Sequence, residues 1–165
     1  MAATIYSFKD MQGVFAYRGT DSSSNTDAQH SFTFGGTESV GINTITINHA
    51  TDNTTHDISV DGGLFVLPVL VWNGSVAIEC QQTSTMHTFL MSWINSIKAQ
   101  AKASTPDFTN WANAVMLIQK TSTGGNGKEK HKITGISPQK TADLTYSTRG
   151  GVVTWNLLAA DIYDD

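Results

Sequence analysis

A chain of 165 residues with 39% hydrophobic residues suits one domain with a real core, while charged residues, at 15%, fall below the usual quarter and give way to Thr, Ser, Asn and Gly. The formal net charge of −4 argues against a bulk-basic nucleic-acid binder, and a lone cysteine, Cys80, argues against a small disulfide-stapled scaffold.

Residues 1–10, "MAATIYSFKD", show neither a basic start nor an apolar core of the kind a secretory signal has, so synthesis and folding in the cytoplasm are expected. "TIYSFKDMQGVFAYRG" reads as a first strand pair or a bulged strand, with Gly13 as the bulge. Residues 18–31, "RGTDSSSNTDAQHS", hold Ala28 as their only apolar residue and read as a long polar loop or hairpin tip. Strands resume at "SFTFGG" and at "GINTITINHA", where Ile45 and Ile47 alternate with threonines. "TDNTTHDISVDGG" gives a turn at Asp52-Asn53, a short strand through Ile58 and Val60, and a tight turn at Asp61-Gly62-Gly63. "LFVLPVLVW", residues 64–72, is apolar on both faces, so it is expected to be buried on both faces or to bend at Pro68. Its nine residues are too few to span a bilayer. Asn73-Gly74 is a hairpin-turn signal, and "SVAIECQQ" is an alternating strand with Cys80 on its apolar face, read as a buried inert thiol.

The one helical pattern follows, over about 84–103. Met86, Phe89, Leu90, Trp93, Ile94, Ile97 and Ala101 recur in steps of three and four, with Thr83, Ser84 or Thr85 as cap and Lys98 and Lys102 complementing the dipole. Such a stripe must pack on the β-structure. "TPDFTNW" reads as a polar turn with Phe108 and Trp111 as anchors, "NAVMLIQKT" as a buried strand, and 121–132 as a second exposed loop. "KITGIS" is a strand ended by Pro138, and the remainder looks like a terminal hairpin around Arg149-Gly150-Gly151. No internal repeat or linker divides the chain, so residues 1–165 read as a single domain.

Catalytic patterns fail on inspection. "STGGNGKEK" lacks the first glycine of a phosphate loop and has Glu129 where Ser or Thr is needed. The five histidines have no metal-ligand spacing, although His49, Asp52, His56 and Asp57 lie close in sequence. There is no Gly-x-Ser-x-Gly elbow, and nothing marks the glutamates as an acid–base pair. Lys128, Lys130, His131 and Lys132 form a basic cluster without the interleaved aromatic that base stacking needs. No enzyme and no cofactor or metal site is expected.

Charge is segregated: residues 1–97 sum to −6, residues 98–140 to +5 and residues 141–165 to −3. With a neutral, hydroxyl-rich surface, this suits head-to-tail self-association, in which rings close and stack as open tubes. The candidate contacts between copies are Arg18, Asp21, Asn25, Asp27 and His30, then Lys128, Lys130 and Lys132, then Asp161, Asp164 and Asp165. A carbohydrate-binding β-sandwich using Trp72, Trp111 and Trp155 is the rival reading.

"TIYSFKDMQGVF", "INTITINHATDNTTHDISVDGG", "NGSVAIECQQTST" and "GISPQKTADLTYSTRGGVVTWNLLAADI", with Asp143 to Tyr146, Gly150-Gly151 and Trp155, resemble the tail tube proteins of long-tailed bacteriophages. The resemblance implies a β-sandwich or partial barrel with one flanking amphipathic helix, and six copies per ring whose strands close one inner barrel. It implies a helix on the sheet face opposite the channel and a polar or acidic channel face, for which Thr33, Thr44 and Thr46 are candidates. It also implies polymerisation around a tape-measure protein, contacts with sheath, baseplate and terminator proteins, a place in the virion tail, and passage of genomic DNA through the lumen. Another tail ring component, such as a terminator, is the nearest structural alternative.

Overall fold

The computed structural model describes residues 11–20, 27–35, 41–120 and 129–164. It is mainly β with one helix: β1 (Met11–Thr20), β2 (Asp27–Gly35), β3 (Ile42–His49), β4 (Thr54–Ile58), β5 (Leu64–Pro68), β6 (Gly74–Gln81), α1 (Thr85–Ala101), β7 (Ala114–Lys120), β8 (Lys130–Pro138), β9 (Val152–Ala159) and β10 (Asp161–Asp164). Eight strands pair antiparallel in the order β2-β1-β7-β8-β9-β6-β3, with β10 added on β8, while β4 and β5 form a separate two-stranded sheet. The polar stretch at 18–31 is mostly ladder, since Arg18 pairs with Gln29 and Thr20 with Asp27. Gly13 is not a bulge: the register runs through it on both sides. It is small because the Phe34 ring lies over it, 2.3 Å from where a Cβ would sit.

The sheet folds into two layers at one corner of β8. Met116 faces Ile133 and Ala114 faces Ile136, so Thr134 and Gly135 together oppose Val115. This is a β-bulge, which bends and twists its strand. Gly135 adopts φ +64°, and a Cβ there would lie 2.6 Å from that of Ala160. Before the bulge β8 pairs with β10; after it, Ser137 and Pro138 pair with β9. One layer is therefore β2-β1-β7-β8-β10 and the other β9-β6-β3. Their facing sides supply the core, including Phe15, Phe34, Ile78, Met116, Ile133 and Leu157.

Helix α1 closes one side of this sandwich. Ser84 caps it by accepting from the His87 amide at 3.2 Å, and Lys98 lies in the last turn. Met86, Leu90, Trp93, Ile94 and Ile97 are buried as the stripe requires. Trp93 meets Phe15 edge-on at 5.3 Å, and Phe89 packs with Tyr17 and Phe32. On the other layer, Trp155 Nε1 donates to His87 Nδ1 at 3.1 Å, which places the neutral imidazole proton on Nε2. The helix thus packs on the inner faces of both layers.

The expected terminal hairpin around Arg149-Gly150-Gly151 does not form. Residues 141–147 carry no strand, and β9 takes its partners from β6 and β8. The cause is the β8 corner, which supplies an edge for β9 and β10 that a local hairpin cannot match. Likewise, Asn73-Gly74 does not turn one strand back on its neighbour: β5 pairs with β4, and Gly74 sits in the ladder between His49 and Ala159. Phe108 is 62% exposed and meets Trp111 edge-on, so neither anchors the 105–111 turn in the core. Cys80 is fully buried, and burial pushes its thiol up, which fits an inert thiol.

The last strand is fastened across the mouth of the sandwich. Asp164 accepts from His131 of β8 at 2.5 Å and from His49 of β3 at 2.9 Å. Burial works to raise the Asp164 carboxyl, but the two histidine hydrogen bonds and their charges outweigh it and hold it below its usual value.

Two predictions follow from this architecture. Gly135→Val forces a branched side chain into a left-handed backbone against Ala160. It should cost about 2 kcal/mol, lowering the Tm of the free subunit by roughly 4–8 °C in a thermal melt. The second concerns acid. Burial holds the His87 imidazole below its usual value, so the unfolded chain binds a proton that the folded chain refuses. Its contribution is present above about pH 6.5 and is lost as pH falls through the folded value, whereas that of Asp164 is present above about pH 3.9 and is lost in stronger acid. Melts across pH 7 to 3 should show both declines, the first flattened by His87→Gln, which keeps an acceptor for Trp155, and the second by Asp164→Asn. Unchanged slopes in these variants would assign the loss to other groups.

Candidate assembly interface

The feature with no precedent in the sequence reading is the exposed ribbon between β3 and β6. Thr54–Pro68, Thr55–Leu67, His56–Val66, Asp57–Phe65 and Ile58–Leu64 are its cross-strand pairs, and among the described residues β4 and β5 pair with no other strand. Every residue of both strands is exposed. The side chains of Leu64, Phe65, Val66 and Leu67 are 50–58% exposed and Ile58 is 72% exposed. Of the two alternatives expected for 64–72, burial on both faces is not met among the described residues, while the strand does end at Pro68. The tip is built as expected, with Gly62 at φ +87° and Ser59 N–H donating to the Gly63 carbonyl at 2.8 Å. At the root, Asn53 Nδ2 donates to the carbonyls of Val69 and Val71, Thr51 donates to Asn73, and the Ile162 amide donates to the Trp72 carbonyl. The ribbon is fixed at its base and free beyond it. A two-stranded hairpin is at best marginally stable alone, and an apolar one in water is a binding surface awaiting cover.

The two layers add strand edges. Among the described residues, β2 and β3 end the sheet path, so each offers an unpaired edge, while the side of β10 away from β8 is partly taken by the bond from the Ile162 amide to Trp72. The outer faces of the layers differ. On β3-β6-β9 the register lines up Thr44, Glu79 and Thr154, then Thr46, Ala77 and Asn156, then Asn48, Ser75 and Leu158. No Lys or Arg occurs among these nine residues. The outer face of the other layer carries Arg18, Lys130 and Lys132.

The residues singled out for self-contact divide into three groups. Arg18 and His30 stand on β1 and β2, where His30 stacks on Tyr17 at 5.0 Å, and Asp27 starts β2 opposite Thr20. Lys130 and Lys132 stand on β8 and Asp161 and Asp164 on β10, which pair directly, so the basic cluster and the acidic end meet within one chain. Asp164 is engaged there by His49 and His131. Asp21, Asn25, Lys128 and Asp165 lie outside the described residues. The ribbon was missed because a run apolar on both faces was read as core of its own chain. The signal was present, since Asp52, Asp57 and Asp61 in its neighbourhood suit a solvent-reaching strand.

Among the described residues, no group of three His, Cys, Asp or Glu side chains is placed to hold a metal ion. His49 is turned to Asp164, while His56 and Asp57 fall on opposite faces of β4. Among the described residues, no helix is long and apolar enough to cross a membrane. Of the three tryptophans a carbohydrate site would use, Trp155 is fully buried and bonded to His87.

Solved structures share the fold. A chain of the anti-feeding prophage baseplate, symmetrised six-fold, superposes with a TM-score of 0.55 at 14% identity, covering 100% of this chain and 97% of that one. A chain of the anti-feeding prophage tube-terminating cap gives 0.52 at 11% identity, with coverage of 100% and 93%. A chain of the extended sheath–tube complex of the PVC extracellular contractile injection system gives 0.50 at 14% identity, with coverage of 92% and 87%. No curated relative matches. The profile described as bacteriophage PhiTE tail tube protein matches residues 3–164, and the chain therefore belongs to that family of structural tail tube proteins.

Proposed function

We propose that copies of this chain close into six-membered rings that stack as the tube of a phage tail, and that the tube conducts the genome into the host. The observation that carries this reading is the apolar ribbon at 50–73, which the described residues of its own chain leave uncovered. Each of its large side chains is worth about 1.5–3 kcal/mol once buried. That driving force repeats at every copy. The open edges of β2 and β3 suit lateral pairing, because a closed ring removes exposed edges. The face of β3-β6-β9, with Glu79 as its one formal charge among the residues aligned above, suits a channel wall, since cations there would hold phosphates. The more charged face of the other layer is then the outer one, available to a sheath. Sheath, baseplate and terminator components as neighbours are supported by the assemblies in which the similar folds are found. A tape-measure protein inside the growing tube, and assembly in the host cytoplasm, complete the reading.

Two outcomes test it. Purified protein, concentrated and imaged by negative stain, should form hollow tubes. Val66→Asp with Leu67→Asp should leave a folded subunit, with the wild-type far-UV dichroism, that sediments as a monomer. Discrete rings that never stack would favour a terminal ring component instead. For the channel, Thr46→Lys should leave tube length and appearance unchanged while lowering delivery of DNA by phage carrying it, at least tenfold in plating efficiency. Normal plating by such phage would remove β3 from the channel wall.

A further inference from the structure

The ribbon differs from an ordinary docking strand in being apolar on both faces. The register puts Ile58, Leu64 and Val66 on one face with His56, and Phe65 and Leu67 on the other with Thr55 and Asp57. A strand of that composition is one covered on both sides. A single flat partner would cover one face and leave either Leu64 and Val66 or Phe65 and Leu67 in water. Covering both requires a layer about 10 Å away on each side.

Three grooves of one copy are too small to be such a slot. The groove between β3 and β7-β8, lined by Met11, Ile45, Ile47 and Ile118, holds about 190 Å³. The groove beside α1, lined by Ile94, Ile97 and Trp111, holds about 130 Å³, and that along β1 near Tyr17 and Gln29 about 360 Å³. Each admits a few side chains and none admits a ribbon. Charge identifies the covering molecules as further copies. Residues 50–73 contain Asp52, Asp57 and Asp61 and no Lys or Arg, whereas residues 98–140 sum to +5.

We propose that the 50–73 ribbon of each subunit is wedged between two other subunits, one against each face, so that it joins three molecules rather than two. The proposal rests on the tube reading and sharpens it: the ribbon locks the seam between two neighbours. The burial that the sequence pattern demands is then met in the assembly.

Photo-crosslinking tests it. A diazirine-bearing aliphatic residue is placed at Leu64, at Leu67, or at both, in an affinity-tagged copy that is assembled as a small fraction among excess wild-type protein. Each single variant should give tagged dimers on illumination, and the double variant should give tagged trimers. Val66 and Phe65 provide a second pair of positions on the same two faces, and co-sedimentation with tubes confirms incorporation. Dimers alone from the double variants, or one face that fails to crosslink in formed tubes, would overturn the wedge and leave the tube reading standing. Wild-type protein that forms no tubes would overturn both.

Discussion

A two-stranded ribbon cannot bury itself, and that constraint organises this molecule. The body solves its own burial problem: two β layers and a helix enclose Phe15, Trp93, Trp155 and their neighbours completely. Among the described residues the ribbon has no third strand and no helix against it, so its leucines, valine and phenylalanine are exposed. A finished core beside an uncovered apolar arm is the physical form expected of a subunit that works in the assembly proposed above.

The body determines where the arm and the strand edges point. The β8 bulge at Gly135 sets the angle between the layers, because β8 pairs with β10 up to it and with β9 from Ser137 onward. Asp164 then fastens the layers from the opposite side by holding His49 and His131. The arm emerges beside that fastening, its root tied to β10 through Trp72 and Ile162. Fold and arm are therefore mechanically continuous, and a change at the carboxylate reaches the base of the ribbon through bonded neighbours.

Local patterns were legible in the sequence, and partner choice was not. The helix was readable because its stripe of Met86, Leu90, Trp93, Ile94 and Ile97 meets a single demand, burial on one side, and Ser84 marked its start. The strands around Ile45, Ile78 and Met116 were readable from alternation. Gly13 and Gly135 look alike in sequence, each a glycine inside a strand, yet one lies beneath a Phe34 ring and the other turns a corner. Only tertiary pairing separates them. The arm was misplaced for a deeper reason. Hydropathy reports that a face will be covered but not by which molecule, so "LFVLPVLVW" was assigned to the only molecule in view. Of the residues expected to meet between copies, Lys130 and Lys132 and Asp161 and Asp164 stand on adjacent strands of one chain, because β10 pairs back onto β8.

The ribbon also carries the means of keeping an unassembled subunit in solution. Four consecutive apolar residues with high strand propensity, Leu64 to Leu67, are a hazard wherever identical chains are abundant. Here Pro68 ends β5 and cannot extend a ladder, Asp57 lies across from Phe65, and Asp61 holds a charge at the tip turn. These residues act as gatekeepers. They discourage ribbon-to-ribbon stacking, in which like charges would confront one another, and leave a surface of opposite charge as the favoured resting place. Orderly growth over amorphous precipitation would then be written into three side chains around the most apolar stretch of the chain.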